Sequence, residues 1–188
     1  MSERPYNKLH GRLRLVLLFV ALLALLSIAR PTPLSVSIGF IPLAVGEAIR
    51  FWAAGHLFKT KKLITTGPYR YTRNPLYLGR LLIFSGLACM AQLPYQLHWV
   101  VLAGGWALFF GYYLPRKERV EPRRLRELHG ARYQSYFLAV PALWPRRTPW
   151  PEADRDGWYA SRMLRNREHW MVAGLALATL FLLWRAYR

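Results

Sequence analysis

The residues best suited to chemistry lie in one short stretch, Gly67–Gly79, which reads GPYRYTRNPLYLG. It holds two prolines, three tyrosines, the amide of Asn74 and two arginines, and the apolar run LLIFSGLACMA begins just after it. A plain connector at the end of a membrane helix needs only a turn and a positive charge. The stretch therefore predicts a binding site where a helix enters a bilayer.

The composition favours a membrane protein. Of 188 residues 54% are hydrophobic, and the net charge of +18 would suggest a nucleic-acid partner in a soluble protein. The apolar residues fall in blocks, however, each near the ~20 residues that cross a bilayer as a helix. The blocks are Leu13–Ala29, Leu34–Phe58, Leu76–Ala91, Leu97–Leu114 and Trp170–Trp184. We therefore predict an all-α, polytopic membrane bundle of about five transmembrane helices, with no nucleic-acid partner.

The cations predict how the bundle is oriented. Of the 27 Lys and Arg residues, 22 lie in the N-terminal segment up to Arg14, between the second and third blocks, or between Arg116 and Arg167. Only Arg30, Arg185 and Arg188 lie in segments at the opposite side. Because cytoplasmic segments carry the excess of Lys and Arg, this asymmetry predicts an integral membrane protein with its N-terminus and the Gly67–Gly79 stretch on the cytoplasmic side.

A surface helix is predicted after the fourth block. Within Arg116–His129, Glu121, Leu125 and Leu128 recur at helical spacing beside a stripe of arginines, which indicates a cytoplasmic amphipathic helix. Pro122 predicts the start of the helix proper, and Gly130 predicts its end.

Two ionisable residues, Glu47 and Arg50, lie one helical turn apart inside the second block. A charge within a bilayer costs ~2.5–3.5 kcal/mol or more, so such residues face a partner or a cavity. Two interpretations stay open: an ion pair that holds the bundle together, or a polar pocket that binds substrate.

Metal and nucleotide motifs are absent from the sequence. The five histidines show no ligand spacing, and there is no CxxC, GxxxxGK[ST] or GxGxxG pattern. The sequence therefore predicts neither a metal site nor a Rossmann crevice.

Three blocks resemble one family in order and spacing. Gly67–Gly79 resembles the "GPY-x-x-x-R-H-P-x-Y-x-G" signature of the superfamily of isoprenylcysteine carboxyl methyltransferases and phospholipid N-methyltransferases. Gly46–Ala53 is similar to its "G-x-x-hydrophobic-R-x-W-A" span, and Glu121–Tyr136 to its "EE-x-x-L-x-x-x-FG-x-x-Y-x-x-Y" segment, which Val140-Pro141 and Pro145 follow. The departures are Asn74 for the signature's histidine, Pro122 for its second acid, for which Glu118 could substitute, and His129 for its phenylalanine.

The resemblance implies a single membrane methyltransferase domain over residues 1–188, with a core at 46–145 and a polar segment plus an extra C-terminal span at 146–188. It implies transfer of a methyl group from S-adenosyl-L-methionine to the polar end of a lipidic acceptor, either an isoprenylcysteine-type carboxylate or a phospholipid amine.

The family's site residues carry over as follows. The cofactor contacts fall on Tyr69, Arg73, Asn74, Pro75, Tyr77, Gly79, Glu121, Leu125, Tyr133 and Tyr136. Catalytic roles fall on Arg119 and Glu121, and substrate contacts on Glu47, Arg50 and Arg119, with Arg119 orienting the acceptor's carboxylate or phosphate.

Two other classes stay open. One is a membrane reductase of the steroid-reductase type, which has a similar helical layout and binds NADPH. The other is a non-enzymatic membrane scaffold whose basic surface binds anionic lipids.

Overall fold

All regular structure is helical in the part of the chain that the computed structural model describes, residues 20, 23–58 and 63–188. The helices are α1 (residues 23–28), α2 (Pro33–His56), α3 (Pro75–Ala91), α4 (Leu97–Leu108), α5 (Leu114–Ala139), α6 (Ala160–Arg165) and α7 (Glu168–Ala186). Gly67–Arg70 and Pro94–Gln96 form 3₁₀ turns, and the π-helical turn Phe109–Tyr113 joins α4 to α5. The all-α prediction is confirmed for these residues.

Among the described residues, three helical stretches are long and apolar enough to cross a membrane: Pro33–His56, Pro94–Arg123 and Glu168–Ala186. Helix α3 is apolar but shorter, with 17 residues. Large apolar side chains on these helices point outward, among them Ile41, Val100 and Leu177, as expected of surfaces that contact lipid. Most of the first apolar block, Leu13–Ala29, lies outside the described residues, so the count of five spans stays a prediction.

Helices α2 and α3 pack backbone to backbone through glycines. A Cβ added at Gly46 would lie 2.6 Å from the carbonyl oxygen of Gly79, and one added at Gly86 would lie 2.5 Å from that of Gly39. Small residues permit such close approach between membrane helices. Close packing is important there, because in lipid the hydrophobic effect does not drive helices together. The contact places the first turn of α3 beside the last turns of α2.

Helix α7 packs antiparallel to α2. At its start, Glu168 lies 2.6 Å from an Arg50 nitrogen, and near its end Arg185 donates to the Leu26 and Ser27 carbonyl oxygens at 2.9 and 2.6 Å. Residues 57–58, 63–74 and 140–168 therefore lie at one end of the bundle, and the connections at 29–32 and 92–96 at the other.

The start of helix α5 differs from the predicted one. The helix begins at Leu114, directly after the π-helical turn, so Pro122 lies inside it and the predicted start at Pro122 is wrong. The reason is that α5 continues an existing helix and needs no new N-terminus, although its sequence changes from apolar to charged. Gly130, with φ +52° and ψ −130°, interrupts the helix where the sequence predicts its end.

The glycine contact predicts a selective loss of stability. We expect Gly86→Ala to lower the free energy of unfolding by ~1–3 kcal/mol, because the added methyl group overpacks the α2–α3 contact. Gly104→Ala is the matched control, since nothing lies within 4 Å of the Cβ position there. Thermal unfolding in detergent measures both variants, and equal melting temperatures would refute the close packing.

Candidate active site at one end of the bundle

A cavity of about 410 Å³ lies between the end of α2, the start of α3 and the charged part of α5. Nine of the ten side chains predicted to contact a cofactor line it: Tyr69, Arg73, Asn74, Pro75, Tyr77, Glu121, Leu125, Tyr133 and Tyr136. Apolar side chains complete the wall, including Leu57, Phe58 and Ile64. The structure thus brings together residues that are up to 79 positions apart in the chain (Leu57 to Tyr136).

The part of the signature before α3, residues 67–74, is called the signature loop, and it is held in place by the segment that follows α5. The Arg73 N–H donates to the Pro141 carbonyl at 2.9 Å, and the Arg146 and Trp150 N–H groups donate to the Tyr71 and Arg70 carbonyls, both at 3.0 Å. These bonds satisfy backbone groups of an irregular loop, which would otherwise be costly to bury. The segment from Pro141 to Trp150 therefore supports the loop.

Asn74 connects the loop to α5. Its amide nitrogen donates to the Glu118 Oε1 and to the Ala142 carbonyl, both at 2.8 Å, and its amide oxygen accepts from the Lys117 ammonium. Asparagine at an N-cap usually bonds to the first turn of its helix. The Asn74 side chain makes no such bond to α3, because these three partners occupy it.

Arg73 makes a second connection to α5. Its guanidinium forms an ion pair with Glu118, donates to the Phe137 carbonyl at 2.5 Å and lies 3.9 Å from the centroid of the Phe137 ring. The side chains of Arg73 and Glu118 are both largely buried, so each neutralises the other where water is scarce.

Lys117 is a lining residue that the sequence analysis missed. Its ammonium lies 2.9 Å from the Glu121 Oε2 and 4.6 Å from the centroid of the Tyr77 ring. The available signal was the i, i+4 spacing of Lys117 and Glu121, a favourable helical pair. Half of the Glu121 side chain is exposed, which leaves this acid accessible from the cavity.

Tyr69 and Tyr136 lie together in the wall. The Tyr136 hydroxyl donates to the Tyr69 carbonyl at 2.7 Å, whereas the buried Tyr69 hydroxyl has no hydrogen-bond partner among the described residues. Burial raises the pKa of both phenols far above the ordinary value, and it raises the pKa of Tyr133 to about 12 despite the opposing charge of Arg73. The three hydroxyls therefore stay protonated at neutral pH.

Four predicted site residues lie outside the cavity wall. Gly79 faces α2, where an added Cβ would lie 2.4 Å from the Arg50 Cγ. Arg50 is buried and lies between Glu168, at 2.6 Å, and Glu47, at 3.7 Å. The ion pair between Glu47 and Arg50 therefore also includes Glu168, an acid of α7. Arg119 is exposed on α5. The structure does not bring Glu47, Arg50 or Arg119 into the cavity wall.

The sequence model of the family described as Phospholipid methyltransferase matches residues 42–122. This segment runs from the middle of α2 into α5 and contains the signature loop, so the match confirms the resemblance that the motifs indicate. Residues 42–122 thus match a phospholipid methyltransferase domain, which is part of the superfamily of membrane methyltransferases. Together with its long apolar helices, this makes it a membrane protein.

Two curated proteins are similar to the chain. The cobalt-zinc-cadmium resistance protein CzcN of Cupriavidus metallidurans is 29% identical over 117 residues, 61% of this chain and 51% of the relative. The nickel-cobalt-cadmium resistance protein NccN of Alcaligenes xylosoxydans xylosoxydans is 29% identical over 112 residues, 58% of this chain and 49% of the relative. The chain thus matches about half the length of these relatives. No solved structure matches it significantly.

The printed names of both relatives concern resistance to metal ions. In the described part of this chain, no group of three or more His, Cys, Asp or Glu side chains is placed to hold a metal ion.

The Asn74 contacts predict a structural cost. We expect Asn74→Leu to lower the free energy of unfolding by ~1–3 kcal/mol without any ligand, because Lys117 and the Ala142 carbonyl lose a buried partner. Gln134→Leu removes an amide from an exposed position of α5 and is the matched control. Thermal unfolding of the ligand-free proteins compares them. If the two variants melt together, Asn74 does not connect the loop to α5.

Proposed function

We propose that the protein is an S-adenosyl-L-methionine-dependent methyltransferase that acts at the membrane interface on the polar group of a lipidic acceptor. The observation that carries the proposal is the cavity itself. It is built largely from the family segment at the end of apolar helices. The Tyr69 hydroxyl, which has no hydrogen-bond partner within the described part of the chain, lies in its wall.

The residues of the wall fit this cofactor. The volume of about 410 Å³ falls within the range of small-molecule sites, ~300–1,000 Å³. The half-exposed acid Glu121 and the face of Tyr77 suit a positively charged sulfonium group. Leu57, Phe58 and Leu125 offer an apolar wall for an adenine ring, and the Tyr69 hydroxyl can donate to a polar atom of the ligand. When bound, S-adenosyl-L-methionine supplies an electrophilic methyl group on a positively charged sulfur.

Catalysis then depends mainly on positioning and on exclusion of water. Arg73 and Asn74 hold the loop against α5, so the wall is already in place before a ligand binds. Tyr77 lies in the first turn of α3, and its ring is 6.3 Å from the ring of Phe109 in the π-helical turn of the candidate span Pro94–Arg123. We propose that the acceptor enters beside this pair and that its apolar chain stays in the bilayer.

The acceptor's polar group decides which side chains are needed. A carboxylate is already deprotonated and needs only a cation to orient it. Lys117 lines the cavity and can supply that cation, whereas Arg119 lies outside the wall. An amine must lose a proton before it attacks a methyl group, and the half-exposed Glu121 can accept that proton.

Cofactor binding is the first test. We expect S-adenosyl-L-methionine to raise the melting temperature of the purified protein in detergent, increasingly with concentration, as a ligand of the folded state does. Tyr77→Ala and Glu121→Ala should each abolish most of that shift. Tyr95→Ala is the control, because Tyr95 is 97% exposed at the opposite end of the bundle. A shift with NADPH instead would favour a reductase, and no shift with either compound would favour a scaffold.

The acceptor can be identified by its product. We expect membranes that contain the protein to transfer radiolabelled methyl groups from S-adenosyl-L-methionine into the lipid fraction. A methyl ester releases volatile methanol in mild base, whereas an N-methylamine does not. Membranes with Glu121→Ala are the control, and equal labelling of both membranes would contradict the assignment of the site.

We propose that the cavity end of the bundle, with the N-terminus, faces the cytoplasm, in line with the distribution of cations. In a Cys89→Ser background, single cysteines at positions 95 and 155 should react with an impermeant maleimide from opposite sides of sealed membranes. Position 155 should react only from the cytoplasmic side. Labelling of both positions from one side would contradict this topology.

A further inference from the structure

The segment from Trp158 to Glu168 lies beyond the matched family segment and folds back onto the end of α2. The Trp158 indole nitrogen donates to the Phe51 carbonyl at 3.2 Å, and the Tyr159 N–H donates to the Gly55 carbonyl at 3.1 Å. The Asn166 amide donates to the carbonyls of Ala54, at 3.0 Å, and Leu57, at 3.2 Å. The last four carbonyls of a helix have no partner within it, and here this segment supplies donors for two of them, those of Ala54 and Gly55.

The same segment contacts a residue of the cavity wall. The Arg162 guanidinium lies 3.8 Å from the centroid of the Phe58 ring and 4.1 Å from that of Tyr159. Asp156 holds the guanidinium through a 2.8 Å ion pair, and only 12% of the Arg162 side chain is exposed. Phe58 therefore has the cavity on one side and a fixed, partly desolvated cation on another.

Gly55 makes this arrangement possible. The Trp158 indole occupies the position of its missing side chain, because a Cβ at Gly55 would lie 1.9 Å from the indole nitrogen. The Trp158 ring also stacks on Phe51, with 5.3 Å between the ring centroids. The C-terminal segment is thus packed directly against the last turns of α2.

We infer that Trp158, Arg162 and Asn166 are positioning residues for the methyl-donor site, because they hold the Leu57–Phe58 wall in place from outside the cavity. The inference rests on the proposed function and extends the site to a segment outside the family match. Leu57 and Phe58 follow the last turn of α2, where an unsupported helix end frays. A small displacement of a site wall can be costly, since binding depends on positions held to within about 1 Å.

The test compares two arginines of the same short helix. Arg162 contacts Phe58, whereas Arg165 is exposed and does not line the cavity. The affinity of the full-length protein in detergent for S-adenosylhomocysteine, the demethylated cofactor, is measured by calorimetry for Arg162→Gln and Arg165→Gln. We expect Arg162→Gln to weaken binding by about three- to tenfold, the size of a partly desolvated cation–π contact, and Arg165→Gln to leave it unchanged.

A second comparison separates positioning from general loss of stability. Arg162→Lys keeps a cation and should recover part of the affinity. In a Phe58→Leu background, which removes the ring, Arg162→Gln should have no further effect on affinity. If Arg162→Gln fails to fold, Arg162→Lys and Asn166→Ser are compared with Arg165→Gln in its place, with weaker binding expected for both.

The outcomes distinguish the two proposals. If the wild-type protein does not bind S-adenosylhomocysteine, the proposed function fails and the inference fails with it. If the wild type binds and the Arg162 variants match Arg165→Gln, the inference alone is overturned. A loss of affinity that persists undiminished in the Phe58→Leu background also overturns it, because Arg162 would then act through general stability.

Discussion

Asn74 is the point on which the described cavity depends. Its side chain joins the signature loop, α5 and the segment after α5 through bonds to Lys117, Glu118 and the Ala142 carbonyl. Such groups are costly to bury unless each finds a partner, and the cost rises where lipid replaces water. Satisfying one amide therefore fixes three chain segments relative to one another, and the cavity is the space between them.

The packing of α2 against α3 determines where the loop meets α5. Because Gly46 and Gly79 let α2 and α3 touch through their backbones, the first turn of α3 lies beside the last turns of α2. Leu57, Phe58 and Tyr77 then line the same cavity. The packing in the apolar part of the bundle thus determines which polar side chains can meet at its end.

The family segment does not complete the site alone. Residues 42–122 include the loop and the acids of α5, but Tyr133 and Tyr136 line the cavity from beyond them, and Pro141 and Arg146 bond to the loop backbone. Glu168 likewise comes from outside that segment and pairs with Arg50 inside the bundle. The chain after α5 therefore belongs to the architecture of the site.

Local patterns in the sequence were enough to predict the helical membrane architecture, three of the apolar spans, and nine of the residues that line the cavity. They sufficed because bilayer thickness dictates span length and because the motif residues are close together along the chain. Lys117, the pairing of Arg50 with Glu168, and the support of Phe58 by Arg162 required the tertiary structure. In each case the local sequence fits a charge exposed to water or at the membrane interface as well as it fits a buried one. Only the packing of distant segments shows which charges are buried and paired. Pro122 illustrates the same limit. Its local signal indicated a helix start, but α5 already begins at Leu114 as a continuation of the helical turn before it.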